Sequence, residues 1–203
     1  MSQIEQNFKY FLSKNPEVED CYAKGLINRR ALARHIVKLG IAKQNEIEAV
    51  IAMLRRYSFK AKDVQNEINV LRTSIKDNII IASIDKTSEN LTKIRTLMKT
   101  VHYETGETFK LVMGTSHLTL ITDTKDLSEF NTDSIKESQS EISILFSMNA
   151  RQTKGIVSYI TKRLYMNDII ISEFLTATYE LLIYIDEKSS VKAYSVIKSS
   201  LQK

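Results

Sequence analysis

The sequence predicts an α+β fold with an N-terminal helical head, a long connecting helix and two tandem units of strands and helices. Apolar residues first recur at helical spacing, and a heptad-like spacing follows. An order of strand, helix, strand and strand then occurs twice, at an offset of 63 to 65 residues, which indicates an internal repeat. The predicted boundaries are 1–57 for the head, 58–77 for the connecting helix, and 78–138 and 139–203 for the two units.

Length and composition restrict the class of protein before any motif is considered. The chain has 203 residues, of which 43% are hydrophobic and 26% charged, as in one or two small globular domains. No apolar run approaches the ~20 residues of a membrane span, and the N-terminus lacks the pattern of a secretory signal. Cys21 is the only cysteine and can form no internal disulfide, which is typical of a reducing compartment. We therefore expect a cytoplasmic protein without a membrane partner.

The head is predicted to contain helices separated by glycine turns. Apolar residues mark a helix over 3–13, and Asn28 is a candidate N-cap for a second helix over 29–39. Gly40 closes that helix, and a third begins at about residue 44. A helix, a glycine turn and another helix resemble a helix-turn-helix motif.

The same region is strongly basic. Between residues 24 and 62 the sequence has ten Lys or Arg against two acidic residues, Glu46 and Glu48, and such a surface attracts polyanions. The two glutamates would repel phosphates at the start of the third helix. A solvated basic bundle that dimerises or docks a protein partner is the alternative to DNA binding. The candidate nucleic-acid-binding residues are Arg29, Arg30, Arg34, Lys38 and Lys43.

A regular apolar spacing then runs from the third helix into the next segment. Nine successive positions are spaced alternately three and four residues apart, which is typical of a coiled-coil seam. This pattern predicts a homodimer in which Val64, Ile68 and Leu71 are buried between the chains. The alternative is an amphipathic helix packed on its own domain. The nine positions are Ile47, Val50, Leu54, Tyr57, Ala61, Val64, Ile68, Leu71 and Ile75.

The first repeated unit begins with the apolar run 79–85, which predicts a strand. A helix over 88–101 and two strands over 108–115 and 117–123 come next. The last helix of this unit is at best a polar, poorly patterned segment, and 132–140 is predicted to be a linker. We expect this unit to be mainly structural.

The second unit has the clearer pattern. A strand over 142–148 leads into the polar loop 149–154, and Gly155 precedes an apolar helix. Two β-branched runs then predict a pair of strands that ends at Asp186, and a final helix covers 189–201.

This second unit resembles the ACT domain, a small regulatory module of enzymes and regulators of amino-acid metabolism. The matching positions are Asn149, the run Gly155-Ile156-Val157 and the last strand, 179–186, whereas Lys154 stands where the family often has proline. The resemblance implies tandem ferredoxin-like βαββαβ units, the first degenerate, and an amino acid as ligand.

The ligand would bind where the polar loop meets the helix. A helix N-terminus offers backbone N–H groups and partial positive charge to a carboxylate. Gly155 would permit close approach next to Ile156, while Asn149 and Thr153 could form hydrogen bonds to the ligand. Alternatively, the segment is a plain strand-to-helix turn and no ligand exists.

The sequence does not predict an enzyme, a cofactor or a metal site. It has no phosphate-binding glycine loop and no metal-ligand motif, and His35, His102 and His117 fall in different predicted elements. The first hypothesis is therefore an amino-acid-responsive regulator with a DNA-binding head. The second is an ACT-type regulatory or interaction module that acts on an amino-acid biosynthetic enzyme without binding nucleic acid.

Overall fold

The chain divides into a helical unit, Met1–Asp63, and a sheet unit, Val64–Lys203. The computed structural model describes residues 3–57, 68–148, 150 and 153–201, with the exception of the Tyr103 side chain. Within these residues, no helix combines the length and the apolar character that crossing a membrane requires.

The helical unit is built around a small apolar core. Asn28 caps the helix that begins at Arg29, as predicted, because its side-chain oxygen accepts hydrogen bonds from the backbone N–H groups of Arg30 and Ala31. Phe8, Ile36 and Leu54 are completely buried in this core. Within residues 3–57 the α-helices are α1 (Gln3–Lys14), α2 (Pro16–Ala23), α3 (Arg29–Lys38) and α4 (Ile47–Arg56).

The sheet unit contains one antiparallel sheet of six strands in the order β2-β3-β1-β4-β6-β5. Among the described residues of this unit, the α-helices that connect or follow the strands are α5 (Ser88–Thr100), α6 (Ile156–Tyr165) and α7 (Ser190–Leu201). The strands are β1 (Val70–Asp85), β2 (Phe109–Met113), β3 (His117–Thr122), β4 (Thr132–Phe146), β5 (Ile171–Ala177) and β6 (Glu180–Asp186).

The internal repeat is visible in the order of the strands. β1, β3 and β2 form the first half of the sheet, and β4, β6 and β5 form the second half in the same order. The long strands β1 and β4 pair with each other at the centre. The start of β1 therefore lies beside the second half of the sheet, and the start of β4 lies beside the first half. The register shifts near Asn78 on β1 and near Ser138 on β4, and both residues have a positive φ angle. The repeat therefore forms one continuous sheet.

Two predictions, of a connecting helix and of a linker, are wrong, because both segments contain β-strand. Residues 70–77 belong to β1 and not to a connecting helix, because pairing with β4 outweighs the helical spacing of the local sequence. The predicted linker 132–140 is the first part of β4, and its polar composition reflects the exposure of residues 133–138.

The predicted helical seam is also wrong where the structure describes it. Ile68 is buried in the core of its own chain, and Leu71 lies exposed on β1, so the two residues do not share a helical face. Val64 lies outside the described residues.

The two faces of the sheet are covered differently. Alternate residues of the strands pack against the helices, for example Ile144 and Ile183 against α6 and α7. The opposite face buries a smaller cluster: Ile79, Ile81, Ile121, Leu182 and Tyr184. Lys110 on the edge strand β2 contacts Glu141 on β4, which would lie about 14 Å away in a flat sheet. The sheet is therefore curled around this second face, which we call the concave face.

Candidate functional site

The strand-to-helix loop of the second half contains the predicted ligand-binding residues. Gly155 has a φ angle of 89° and ψ of 6°, a left-handed conformation that favours glycine, and it is the N-cap residue of α6. Thr153 is buried, and Ile156, the first residue of α6, is half-buried against the core. The structure thus brings together Thr153, Gly155 and Ile156, while Asn149 lies outside the described residues.

At the start of α6, the N-cap residue provides no side chain to accept hydrogen bonds from the first backbone N–H groups. The first N–H groups of an α-helix have no partner within the helix. Glycine has no side chain that could accept hydrogen bonds from these N–H groups, and Gly155 accordingly makes no side-chain capping hydrogen bond. Its carbonyl accepts the ordinary helical hydrogen bond from the Tyr159 N–H at 2.8 Å. This end of α6 can therefore receive an anionic group such as a carboxylate.

The corresponding loop of the first half is closed by its own side chains. Thr87 is the N-cap of α5, and its hydroxyl oxygen accepts a hydrogen bond from the Asn90 N–H at 3.2 Å. The Asn90 side-chain N–H donates to the Asp85 carbonyl at 2.9 Å, and Asn90 is buried. The hydrogen bond of Asn90 was not predicted from the sequence. An amide at an otherwise apolar helix position is the signal that could have identified it.

The concave face carries a buried polar network that was not predicted from the sequence either. The Tyr184 hydroxyl donates to Glu141 Oε2 at 2.6 Å, and Lys110 pairs with the same oxygen. Burial raises the pKa of Tyr184, and its hydrogen bond to the Glu141 carboxylate raises it further. Tyr184 follows the apolar spacing of its strand, which by itself indicates only a core residue. The sequence signal that could have revealed this network is Glu141, a charged residue at the start of an apolar, alternating strand.

A second polar network joins β1 to the end of β3. Lys76 Nζ lies 2.6 Å from Asp123 Oδ2 and donates to the Thr108 hydroxyl at 2.8 Å. Burial acts to raise the pKa of Asp123, but hydrogen bonds from Lys76 and from the Thr108 N–H hold it below its usual value. In both networks the charged groups are paired internally, so neither network offers an open site for a charged ligand.

All five predicted nucleic-acid-binding residues are exposed, but they line two separate grooves of the helical unit. Arg29 and Arg30 line one groove together with Arg55, and the Arg29 side chain donates to the Tyr22 hydroxyl at 2.8 Å. Arg34, Lys38 and Lys43 line the other groove. The structure therefore does not gather the five residues into one site.

Comparison with known proteins identifies the fold of the sheet unit. No protein-family model and no curated protein matches the sequence. Among solved structures, aspartate kinase from Clostridium acetobutylicum matches with a TM-score of 0.54 and 15% identity, over 66% of this chain and 35% of that chain. E. coli aspartokinase III in complex with aspartate and ADP matches with a TM-score of 0.50 and 8% identity, over 65% and 33%.

A third similar structure is the regulatory subunit of aspartate kinase from Thermus thermophilus, with a TM-score of 0.49 and 11% identity, over 67% of this chain and 99% of that chain. The chain spans about a third of the length of the first two kinases. The matched share of this chain is close to the share occupied by the sheet unit. The helices and the curled antiparallel sheet therefore have an ACT-like fold.

Proposed function

We propose that the chain is an ACT-type regulatory module that binds a free amino acid and acts on an amino-acid biosynthetic enzyme. The ACT-like fold of the sheet unit supports this proposal. One similar structure is described as an allosteric enzyme of amino-acid production, and another was solved with aspartate and ADP. Because this chain spans only about a third of those kinases, the activity that we propose is regulation and not phosphate transfer.

The observation that carries the proposal is the difference between the two strand-to-helix loops. The Thr87 hydroxyl caps the start of α5 and the Asn90 side chain ties it to Asp85, whereas α6 begins at a left-handed glycine that has no side chain to cap it. In the proposed complex, the ligand carboxylate lies at the N-terminus of α6, where the backbone N–H groups and the helix dipole stabilise it. Thr153 and Asn149 would supply hydrogen bonds from the preceding loop.

A melting screen with the twenty amino acids tests the proposal. A ligand present at 100 times its dissociation constant stabilises the folded chain by about 2.7 kcal/mol. The matched variants are Gly155→Val and Gly106→Val, because both glycines have a positive φ angle and both belong to the sheet unit. We expect both variants to melt at a lower temperature without ligand, but only Gly155→Val to lose the shift that the ligand causes. The proposal fails if no amino acid shifts the wild type, or if Gly155→Val responds as Gly106→Val does.

We further propose that the helical unit docks the module on its partner enzyme through its exposed basic grooves. Arg29 and Arg30 line one groove, and Arg34 lies with Lys38 and Lys43 in the other. Binding to random duplex DNA, titrated with salt, separates this proposal from that of a DNA-binding regulator. Phosphate contacts would give a steep negative slope of log affinity against log salt, and the triple variant Arg29→Ala, Arg30→Ala, Arg34→Ala would flatten it. Docking without DNA binding predicts no measurable affinity even at low salt.

The homodimer also stays a proposal, and light scattering measures it directly. Since Ile68 packs within its own chain and Leu71 lies on a strand, the described residues do not form the predicted helical seam. Neither ligand binding nor docking, as proposed above, depends on it.

A further inference from the structure

Three side chains that can ligate a metal meet at one end of the first half of the sheet. Asp85 is the last residue of β1, His117 the first of β3 and Asp133 the second of β4. One ligand atom from each lies within 4.8 Å of the other two. His117 Nε2 is 2.6 Å from Asp133 Oδ2 and 3.7 Å from Asp85 Oδ1. No such cluster was predicted from the sequence, because the three residues are distant from one another in the chain.

The register of the sheet places these side chains together. β3, β1 and β4 are neighbours in the sheet, and Asp85 pairs directly with His117 across the ladder. Both residues are fixed through their backbones. The Asp85 carbonyl accepts hydrogen bonds from the Thr87 N–H and the Asn90 side chain, both at 2.9 Å. The His117 carbonyl accepts one from the Gly114 N–H at 2.9 Å in the β2–β3 turn.

Gly114 itself supports the position of His117. A Cβ atom added at Gly114 would lie 3.0 Å from the His117 carbonyl oxygen, a contact so tight that the backbone at His117 would have to move by a few tenths of an ångström. The glycine allows the close turn in which His117 begins β3. The cluster is therefore held by strand pairing and by a tight turn, in addition to its own ion pairs.

The donor set has the chemistry of a transition-metal site. One imidazole nitrogen with two carboxylates is a ligand set that suits ions such as Zn²⁺, whereas Mg²⁺ prefers oxygen ligands alone. Donors bonded at about 2.0 to 2.2 Å to one ion lie roughly 3 to 3.5 Å from each other. The two measured distances from His117, 2.6 and 3.7 Å, lie on either side of this range. The side chains are about half exposed, which leaves space for water as a further ligand.

The charges at the cluster also favour a divalent ion. A single imidazole nitrogen faces both carboxylates, and its one N–H can donate a good hydrogen bond to only one of them. Within the described ranges, the ion pairs of Asp85 and Asp133 are those with His117 alone. The neighbouring ammonium, that of Lys86, donates to the Gly114 carbonyl. We propose that Asp85, His117 and Asp133 bind a divalent transition-metal ion, which links β1, β3 and β4.

Calorimetric titration with Zn²⁺ tests the site, with Cys21→Ser as the common background so that the free thiol cannot bind the ion. We expect one ion per chain, and an affinity at least tenfold weaker in His117→Gln and in Asp133→Asn. The matched control is His102→Gln, since His102 is also exposed but lies 3.9 Å from a single carboxylate, that of Glu107. This control should bind Zn²⁺ as the background does, and Mg²⁺ should bind to none of the variants at comparable concentration.

The position of the ion is tested with paramagnetic Co²⁺ and the amide NMR signals of the folded chain. The signals of Asp85, His117 and Asp133 should broaden first, while that of Asp123, beyond the other end of β3, should persist. Equal Zn²⁺ affinity in His117→Gln and His102→Gln, or broadening centred elsewhere, would overturn the proposal and leave His117 as a partner in ion pairs only. If His117→Gln unfolds, Asp133→Asn gives the same comparison.

Discussion

The two halves of the sheet unit share their order of strands, yet their strand-to-helix loops differ in how the helix N-terminus is satisfied. In the first half, the Thr87 hydroxyl oxygen accepts a hydrogen bond from the Asn90 N–H of the helix, and the Asn90 side chain donates to the Asp85 carbonyl at the end of the preceding strand. In the second half, Gly155 supplies no side chain to α6. Repetition of a fold therefore does not repeat the capping of its helices. A loop whose own side chain caps the helix has little to offer a ligand, whereas an N-cap glycine leaves that role to another group.

The halves also differ in the segment that comes after their third strand. The second half has α7, whose Ala193 and Ile197 are buried against the sheet. The first half has an irregular segment here, and its Leu127 and Phe130 join the core beside Ile94 of α5. Two apolar side chains thus cover part of the surface that a helix covers in the other half.

The largest expected effect is at Phe130. Replacing it with alanine removes a buried aromatic ring from the segment that stands in place of a helix, which should lower the free energy of unfolding by about 3 to 5 kcal/mol. Urea denaturation measures the loss. Phe109→Ala, a half-buried phenylalanine of the same cluster, is the control and should cost clearly less. Equal losses would show that Phe130 has no special part in this core.

A smaller effect is expected at Tyr184, the fifth residue of β6, whose counterpart as the fifth residue of β3 is Ile121. Tyr184→Phe removes the hydrogen bond to the Glu141 carboxylate, and we expect a loss of about 2 kcal/mol at neutral pH. Ile121→Val in the first half should cost about 1 kcal/mol, through apolar contacts alone.

The alkaline stability of the chain gives a second measurement on Tyr184. Its pKa in the folded chain is raised above the unfolded value of about 10, so the neutral phenol stabilises the fold below that pH. This contribution is lost as the pH rises above about 10. The stability of Tyr184→Phe should therefore fall less steeply above pH 10 than that of the wild type. Parallel curves would contradict the role given to the buried hydroxyl.

The smallest of these effects is expected at Asn90. Asn90→Ala removes the hydrogen bond to the Asp85 carbonyl, which still accepts one from the Thr87 N–H, so the loss should be about 1 kcal/mol. Thr96→Ala, at an exposed position of the same helix, should change stability by less. Thermal melting compares the two variants. A larger loss in the Thr96 variant would argue against a special role of Asn90 in closing the first loop.

Much of the fold could be predicted from the sequence because many signals were local. The Asn28 cap, the apolar face of α4 and the glycine at the start of α6 each act within a few residues. The continuous sheet could not be predicted in the same way. The polar start of β4 is a strand only because it pairs with β1, far away in the sequence, and no local pattern records that pairing.

The same reason explains which part of the candidate site could be predicted. The loop at Gly155 was found because strand, glycine and helix succeed one another in the sequence. The closure of the first loop by Asn90 depends on one buried amide that has no periodic signature. The meeting of His117 with Asp85 and Asp133 depends on strand register, which the sequence alone did not determine.

The number of amino-acid molecules bound per chain tests the central claim most directly. Calorimetric titration with the amino acid that raises the melting temperature most should give one molecule per chain. Binding should be lost in Gly155→Val and retained in Gly106→Val and Asn90→Ala. Two molecules per chain, or loss of binding in Asn90→Ala with Gly155→Val unaffected, would contradict the account, because the ligand would then occupy the first loop, which Thr87 and Asn90 close with their own hydrogen bonds.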